Sequence, residues 1–189
     1  TMKELYLYPP SNEDLRPECM MNYELSWRQR LLGGQLGYGI NLFYIKADNI
    51  IQTVNRKNIN TGKLENSGIE GDATFAINGR SVTTNHSYLH QARPVVGAPT
   101  YKGYLGGSFH SGSVGVHAGL TQVAGLYTAI GNDEAKTDFT LLNITVDYRL
   151  CKNVKLWVKG DNLLAQRYEI VAGNPMPKAT FMAGVALDF

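Results

Sequence analysis

The sequence predicts an all-β protein: an antiparallel, up-and-down transmembrane β-barrel, of which this chain supplies an incomplete portion of about nine strands. Three observations carry that prediction. Apolar and polar residues alternate in segment after segment. The connections between segments alternate strictly between short and long. The polar side of the segments carries charges that a dry core would not hold.

The strands follow in order. Met21, Tyr23, Leu25 and Trp27 alternate with Asn22, Glu24, Ser26 and Arg28, and Gly33 to Gln35 turn the chain. Leu36, Tyr38, Ile40, Leu42 and Tyr44 then share one face, and a long polar segment is expected as a loop over 47–66. Ile69, Gly71, Ala73, Phe75 and Ile77 oppose Glu70, Asp72 and Thr74 before the Asn78-Gly79 turn. The segment "SVTTNHSYLH" (81–90) is extended in composition but barely alternates, so its buried face stays open. After the loop at 91–99, Tyr101, Leu105 and Phe109 share a face, Ser111-Gly112 turns, and Val114, Val116, Ala118 and Leu120 return. Past a loop at 127–137, Leu142, Ile144, Val146, Tyr148 and Leu150 oppose Asn143, Thr145, Asp147 and Arg149. Val154, Leu156 and Val158 follow opposite Lys155, Trp157, Lys159 and Asp161; the last loop is 165–177, and the chain closes with Phe181, Ala183, Val185, Leu187 and Phe189 on one face.

Short connections at 32–35, 78–80, 110–113 and 151–153 and long ones at 47–66, 91–99, 127–137 and 165–177 put tight turns on one rim and long loops on the other, as outer-membrane barrels do. The charged face, with Glu24, Arg28, Glu70, Asp72, Asp147, Arg149, Lys155, Lys159 and Asp161, fits a wet lumen. The apolar face, with Tyr38, Tyr44, Tyr148 and Phe189 near strand ends, fits lipid and its interfaces. An odd strand count does not close simply, which is why the chain is expected to be incomplete.

Composition narrows the partners. The 18 basic and 16 acidic residues are scattered, which excludes a nucleic-acid surface or a polybasic membrane patch. No apolar run approaches the ~20 residues of a membrane-spanning helix. A mean hydropathy of -0.21 is what alternating strands average to. Cys19 and Cys151 belong to no metal-type spacing and are expected as free thiols or lone buried hydrophobes.

The motifs resemble a known family. "LRPE" (15–18) followed by "NYELSW", then "NLFYIKADNII", "SGIEGDATF", "DNLLAQRYE" and "NPMPKATFMAGVALDF" are similar, in order, to elements in the C-terminal part of TonB-dependent outer-membrane receptors. The likeness runs from about Lys3 to Phe189, with Leu164 where Phe is usual and Lys178-Ala179 where Gly-Arg is common. It looks closer to siderophore and cobalamin receptors than to very large glycan importers. The resemblance implies a barrel of about 22 strands plugged by an N-terminal domain, with residues 1–189 as the C-terminal part and the plug and first strands lying outside them. It implies energy-dependent import of a scarce, bulky nutrient (an iron-siderophore complex, haem or cobalamin), with partners in the TonB system through the plug, the lipid bilayer, and the small-molecule ligand. It further implies that the terminal aromatic Phe189 is read by the outer-membrane assembly machinery. No enzyme activity, cofactor or nucleic-acid partner is implied. Three other readings stay open: a complete small outer-membrane barrel serving as adhesin or anchor, a portion of a SusC-like glycan importer, or a soluble lipid- or haem-binding barrel that buries Leu142, Ile144 and Val146.

The residues suggest no catalytic set and no metal site. His86 and His90 on a strand would sit ~13 Å apart. A turn at Ser111-Gly112 would pair His110 with Ser113 and His117 with Gly106, keeping those two apart as well. The glycines of "GYLGGSFHSGSVGVHAG" lead into no helix and so make no phosphate loop. The sequons at Asn85 and Asn143 lie inside strands. Ligand contacts are expected from the long loops and the upper lumen, where aromatic and cationic side chains stack or pair: Tyr88, His90, Arg93, Tyr101, Tyr127 and Arg167.

Overall fold

A computed structural model describes residues 11–54, 57–131 and 135–187 of the chain. Among the described residues, nine strands run in chain order through one sheet: β1 (Cys19–Leu31), β2 (Leu36–Val54), β3 (Lys57–Ile77), β4 (Arg80–Gln91), β5 (Tyr101–Ser111), β6 (Val114–Ala129), β7 (Ala135–Cys151), β8 (Val154–Asp161) and β9 (Thr180–Leu187). Each is antiparallel to the next. Among the described residues, β1 and β9 are the two ends of this order and each has one strand neighbour. Phe189 lies outside the described residues.

Tight turns set the register. Asn78 and Gly79 both take positive φ (47° and 74°), the pairing that a two-residue turn needs to match the strands' right-handed twist. The register then keeps faces intact across the sheet. Leu25 pairs with Leu42 and Leu42 with Ile69, Leu105 with Leu120 and Leu120 with Leu142, Val146 with Val158 and Val158 with Ala183. Among the described residues nothing covers this apolar face: Leu25 and Phe181 are 70% and 72% exposed. The opposite face is a ladder of charges and hydrogen bonds. Arg28 reaches Asp72 at 3.2 Å across the side-chain-free Gly39, and Lys159 meets Asp161 at 2.9 Å. A sheet with one bare apolar face and one wet charged face is what a barrel wall between lipid and lumen requires. Cys19 and Cys151 are free and exposed.

Two expectations are corrected and one open face is decided. First, the polar stretch 47–66 is largely strand, because β2 runs to Val54 and β3 starts at Lys57. Its polar residues fall on both faces of the hairpin, so the period-two pattern is lost. Bulges at Asp48/Ile50 and Ile50/Ile51, with Asn49 at φ 59°, break the period further. Likewise β6 extends to Ala129 and β7 begins at Ala135, inside the loop expected over 127–137. Second, the undecided strand 81–90 turns Val82, Thr84, His86 and Tyr88 to the apolar face, in line with Phe75, Ala73, Gly71 and Ile69. Its polar members satisfy each other: His86 Nδ1 lies 2.7 Å from Tyr101 Oη, and Thr84 Oγ1 lies 2.8 Å from His86 Nε2. Third, the β5–β6 turn is Gly112-Ser113, one residue later than expected, because Ser111 still pairs with Val114 and Gly112 takes the left-handed φ of 57°. That slip moves His110 opposite Gly115 and His117 opposite Ser108.

Candidate ligand-binding surface

At the end of the sheet with long connections, the polar face acquires a small core. Val123, Leu126 and Phe139 are buried there, with Leu141 and Tyr168 packed against them. Tyr168 comes from the connection between β8 and β9 and stacks on Phe139, with ring centroids 4.1 Å apart. The β6 strand reaches this core by a bulge at Gly125 (φ 64°), whose N–H donates to Asp138 Oδ1 at 2.6 Å.

Asn162 holds the β8–β9 connection in place. Its φ is 49°, and its side chain is buried at 5% exposure. Nδ2 donates to the carbonyls of Gln166 (2.9 Å) and Pro177 (3.1 Å), and Oδ1 accepts from the Gln166 N–H (3.0 Å). Its own N–H donates to Asn143 Oδ1 at 2.9 Å, which ties the connection to β7. One amide thus clips both ends of the 162–179 segment. The segment is further stitched to β6 by Ala172 N–H donating to the Thr128 carbonyl at 2.9 Å. Sequence reasoning did not single out Asn162, although it lies in the "DNLLAQRYE" element.

The clipped segment and the ends of β6 and β7 enclose a recess lined by Thr128, Lys136, Arg167, Tyr168, Glu169 and Lys178, among others. Three cationic side chains face one carboxylate, and Glu169 Oε2 already accepts from Gly173 N–H at 2.8 Å. Among the described residues lining it, cations thus outnumber carboxylates, a balance that suits an anionic ligand. Lys136 also lies over the Tyr127 ring, 4.4 Å from the centroid.

Of the six residues expected to touch ligand, Arg167 lines this recess. Tyr127 borders it through Lys136, and its carbonyl accepts from Gly97 N–H at 2.9 Å. Arg93 is exposed on the 92–100 connection and reaches toward Gly62 on β3. Tyr88, His90 and Tyr101 belong to the apolar face, by their pairing with Ile69, Ser67 and Tyr88 respectively. The structure does not bring the six into one cluster.

Lower on the polar face, between β4 and β7, lies a trough lined by Ser81, Thr83, Tyr104, Ser108, His117 and Asn143, among others. Ser81 and Ser108 share a 2.6 Å hydrogen bond across it. Hydroxyl, amide and imidazole groups of this kind hold water or a polar solute.

The sequence matches the family model "TonB dependent receptor-like, beta-barrel" over residues 1–163. No curated protein sequence matches it. Among solved structures, the chain is similar to the siderophore receptor PirA from Acinetobacter baumannii, at TM-score 0.79 and 17% identity over 95% of this chain and 33% of that one. It is similar to the ferric-catecholate import receptor Fiu from E. coli K12, at TM-score 0.76 and 15% identity over 93% of this chain and 28% of that one. It is also similar to the copper transporter OprC, at TM-score 0.77 and 16% identity over 94% and 32%. The chain thus spans about a third of the length of the structures it matches.

Proposed function

Because the chain belongs to the TonB-dependent receptor-like β-barrel family, we propose that it forms the C-terminal strands of a plugged outer-membrane receptor that imports a scarce, bulky nutrient with energy from TonB. Membership in the family sets aside the soluble-barrel reading and puts the bare apolar face against lipid, in the outer membrane. The substrate class we favour is an anionic metal chelate, an iron-siderophore complex or haem, over uncharged cobalamin. The recess on the long-connection rim, where Arg167, Lys178 and Lys136 outnumber Glu169 among the described lining residues, supports this choice. Arg167 would pair with the ligand, with Tyr127 and Arg93 close enough to the rim to contribute. The plug and the TonB contact would lie upstream of these residues, and the outer-membrane assembly machinery would read the C-terminal residue Phe189.

The experiment is uptake of radio-iron siderophores and haem by cells carrying the full-length receptor, with and without a functional TonB. The expected result is TonB-dependent uptake that the triple charge reversal Lys136→Glu, Arg167→Glu, Lys178→Glu abolishes at unchanged receptor level in the outer membrane. Uptake indifferent to these reversals would refute the assigned recess, and uptake indifferent to TonB would refute the receptor reading.

A further inference from the structure

A second group of side chains gathers on the polar face beside the tight turns, at the far end of the sheet from the recess. His110 lies on β5, His117 on β6 and Asp147 on β7. The register sets His110 opposite Gly115, and Gly115 opposite Asp147, while His117 stands two residues along β6 on the same face. Gly115 leaves the middle of this arrangement open. A Cβ built there would lie 2.6 Å from Asp147 Oδ1 and 2.8 Å from Oδ2, so the carboxylate occupies the space that a side chain would take. The two imidazoles meet edge to face with centroids 4.9 Å apart, and His117 Nε2 is 3.6 Å from Asp147 Oδ1. One ligating atom from each of the three lies within 4.8 Å of the others.

A simple histidine–carboxylate pair accounts for less than this. The 3.6 Å separation is too long for a hydrogen bond, and the pair gives His110 no part. Among the described residues, no Lys or Arg forms an ion pair with Asp147. The Asp147 side chain is 16% exposed and that of His117 45%, so the anion is held in place while the group stays open to the lumen. A mostly buried carboxylate beside two touching imidazoles, on three adjacent strands, offers three donor atoms that can converge on one centre.

We propose that His110, His117 and Asp147 form a binding site for a divalent transition cation of the zinc class on the lumen face. Two imidazole nitrogens and a carboxylate oxygen are the donors that Zn²⁺ takes at about 2.0–2.2 Å. Bonds of that length need donors roughly 3.3–3.5 Å apart, so the three side chains would draw together from their present spacing on binding the ion. Three protein ligands leave a fourth position for water or for a passing ligand. The bound ion would cross-link β5, β6 and β7 beside their turns. The site stands apart from the rim recess and holds whether or not the imported nutrient contains a metal.

The test uses the full-length protein in detergent, stripped with a chelator and titrated calorimetrically with Zn²⁺, with Mg²⁺ as the control cation. The wild type should bind one more equivalent of Zn²⁺ than the His110→Ala/His117→Ala double variant. Asp147→Asn, which keeps the side-chain shape, should weaken that equivalent about tenfold or more, while His90→Ala leaves it unchanged. Co²⁺ should give the visible absorption of a low-coordinate nitrogen–oxygen site in wild type and lose it in His117→Gln, whose circular dichroism stays that of a folded barrel. Equal Zn²⁺ stoichiometry and affinity in wild type and the double variant would overturn the proposal. So would an unchanged Co²⁺ spectrum in His117→Gln. Neither result would alter the uptake assay, so the two proposals fail separately.

Discussion

The two ends of this sheet are built by different means. At the tight-turn end, two-residue turns fix the register and the polar face holds exposed ion pairs such as Arg28 with Asp72. At the long-connection end, a buried cluster of Val123, Leu126 and Phe139 and a single buried amide, Asn162, hold a folded-over segment in place. The difference teaches where a barrel wall needs tertiary structure. Through the bilayer, the backbone ladder satisfies itself and lipid covers the apolar side chains. Beyond it, the segment between β8 and β9 has no ladder for most of its length and must be anchored by side chains. Energetic effects should therefore concentrate at the long-connection end, and substitutions can test that ranking.

The largest effect is expected from Phe139→Ala. It removes the ring on which Tyr168 stacks and opens the buried cluster, a change of about 3–5 kcal/mol for an aromatic in a packed core. Because the cluster is local, hydrogen exchange over 162–179 should quicken while exchange in the centres of β1 and β2 stays slow. If both ends quickened equally, the two ends would be one cooperative unit and the comparison would fail.

Next comes Asn162→Ala, which orphans the Gln166 N–H and two carbonyls and puts a residue with a Cβ but no compensating bonds at φ 49°. The cost should be about 2–3 kcal/mol. Asn162→Gly relieves the backbone strain and keeps the lost hydrogen bonds lost, so it should recover about 1 kcal/mol of that. Protease cleavage within 162–179 is the readout. Recovery to wild-type resistance in the glycine variant would show that the amide's hydrogen bonds carry nothing.

What the sequence shows of this molecule follows the same division. The strand count, the two faces and the short turns are legible because lipid enforces period-two alternation over the spanning residues, as in Leu142, Ile144, Val146 and Tyr148. Farther along, the signal fades: β2 runs on to Val54 and β3 starts at Lys57 with polar residues on both faces, and no alternation marks them. β4 hid its face for another reason, since Thr84 and His86 stand on the apolar side and bond to each other and to Tyr101. The Arg167 recess was partly legible as a cation in a long loop, whereas the Asn162 clip depends on partners up to 19 residues away that no local pattern joins. The meeting of His110 with His117 hung on one residue of turn placement. Gly112 can serve as the first or the second residue of a two-residue turn, and only the pairing of Ser111 with Val114 decides.

At the tight-turn end, Gly79→Ala should have a middling effect. The position has φ 74°, and a Cβ there would lie 2.8 Å from the His110 carbonyl oxygen, which is backbone and cannot swing away. The expected cost is about 1–2 kcal/mol, measured by urea unfolding of the full-length protein in detergent. A cost above that of Phe139→Ala would invert the ranking and make turn chemistry the main anchor of the wall.

The smallest effect is expected where the structure looks most ordered to the eye, at Arg28 and Asp72. Their charges meet at 3.2 Å across the open space over Gly39, yet their side chains are 75% and 43% exposed. Water and salt screen such a pair, so a double-mutant cycle with Arg28→Ala and Asp72→Ala should return a coupling of about 0–1 kcal/mol that shrinks further in high salt. The same cycle becomes informative in the intact receptor, where a plug packed against this face would exclude water from it. A coupling that rises well above 1 kcal/mol there, and stays there in high salt, would mean that the lumen face is dry at this level. The charged ladder would then be a docking surface for the plug and not merely a wetted wall.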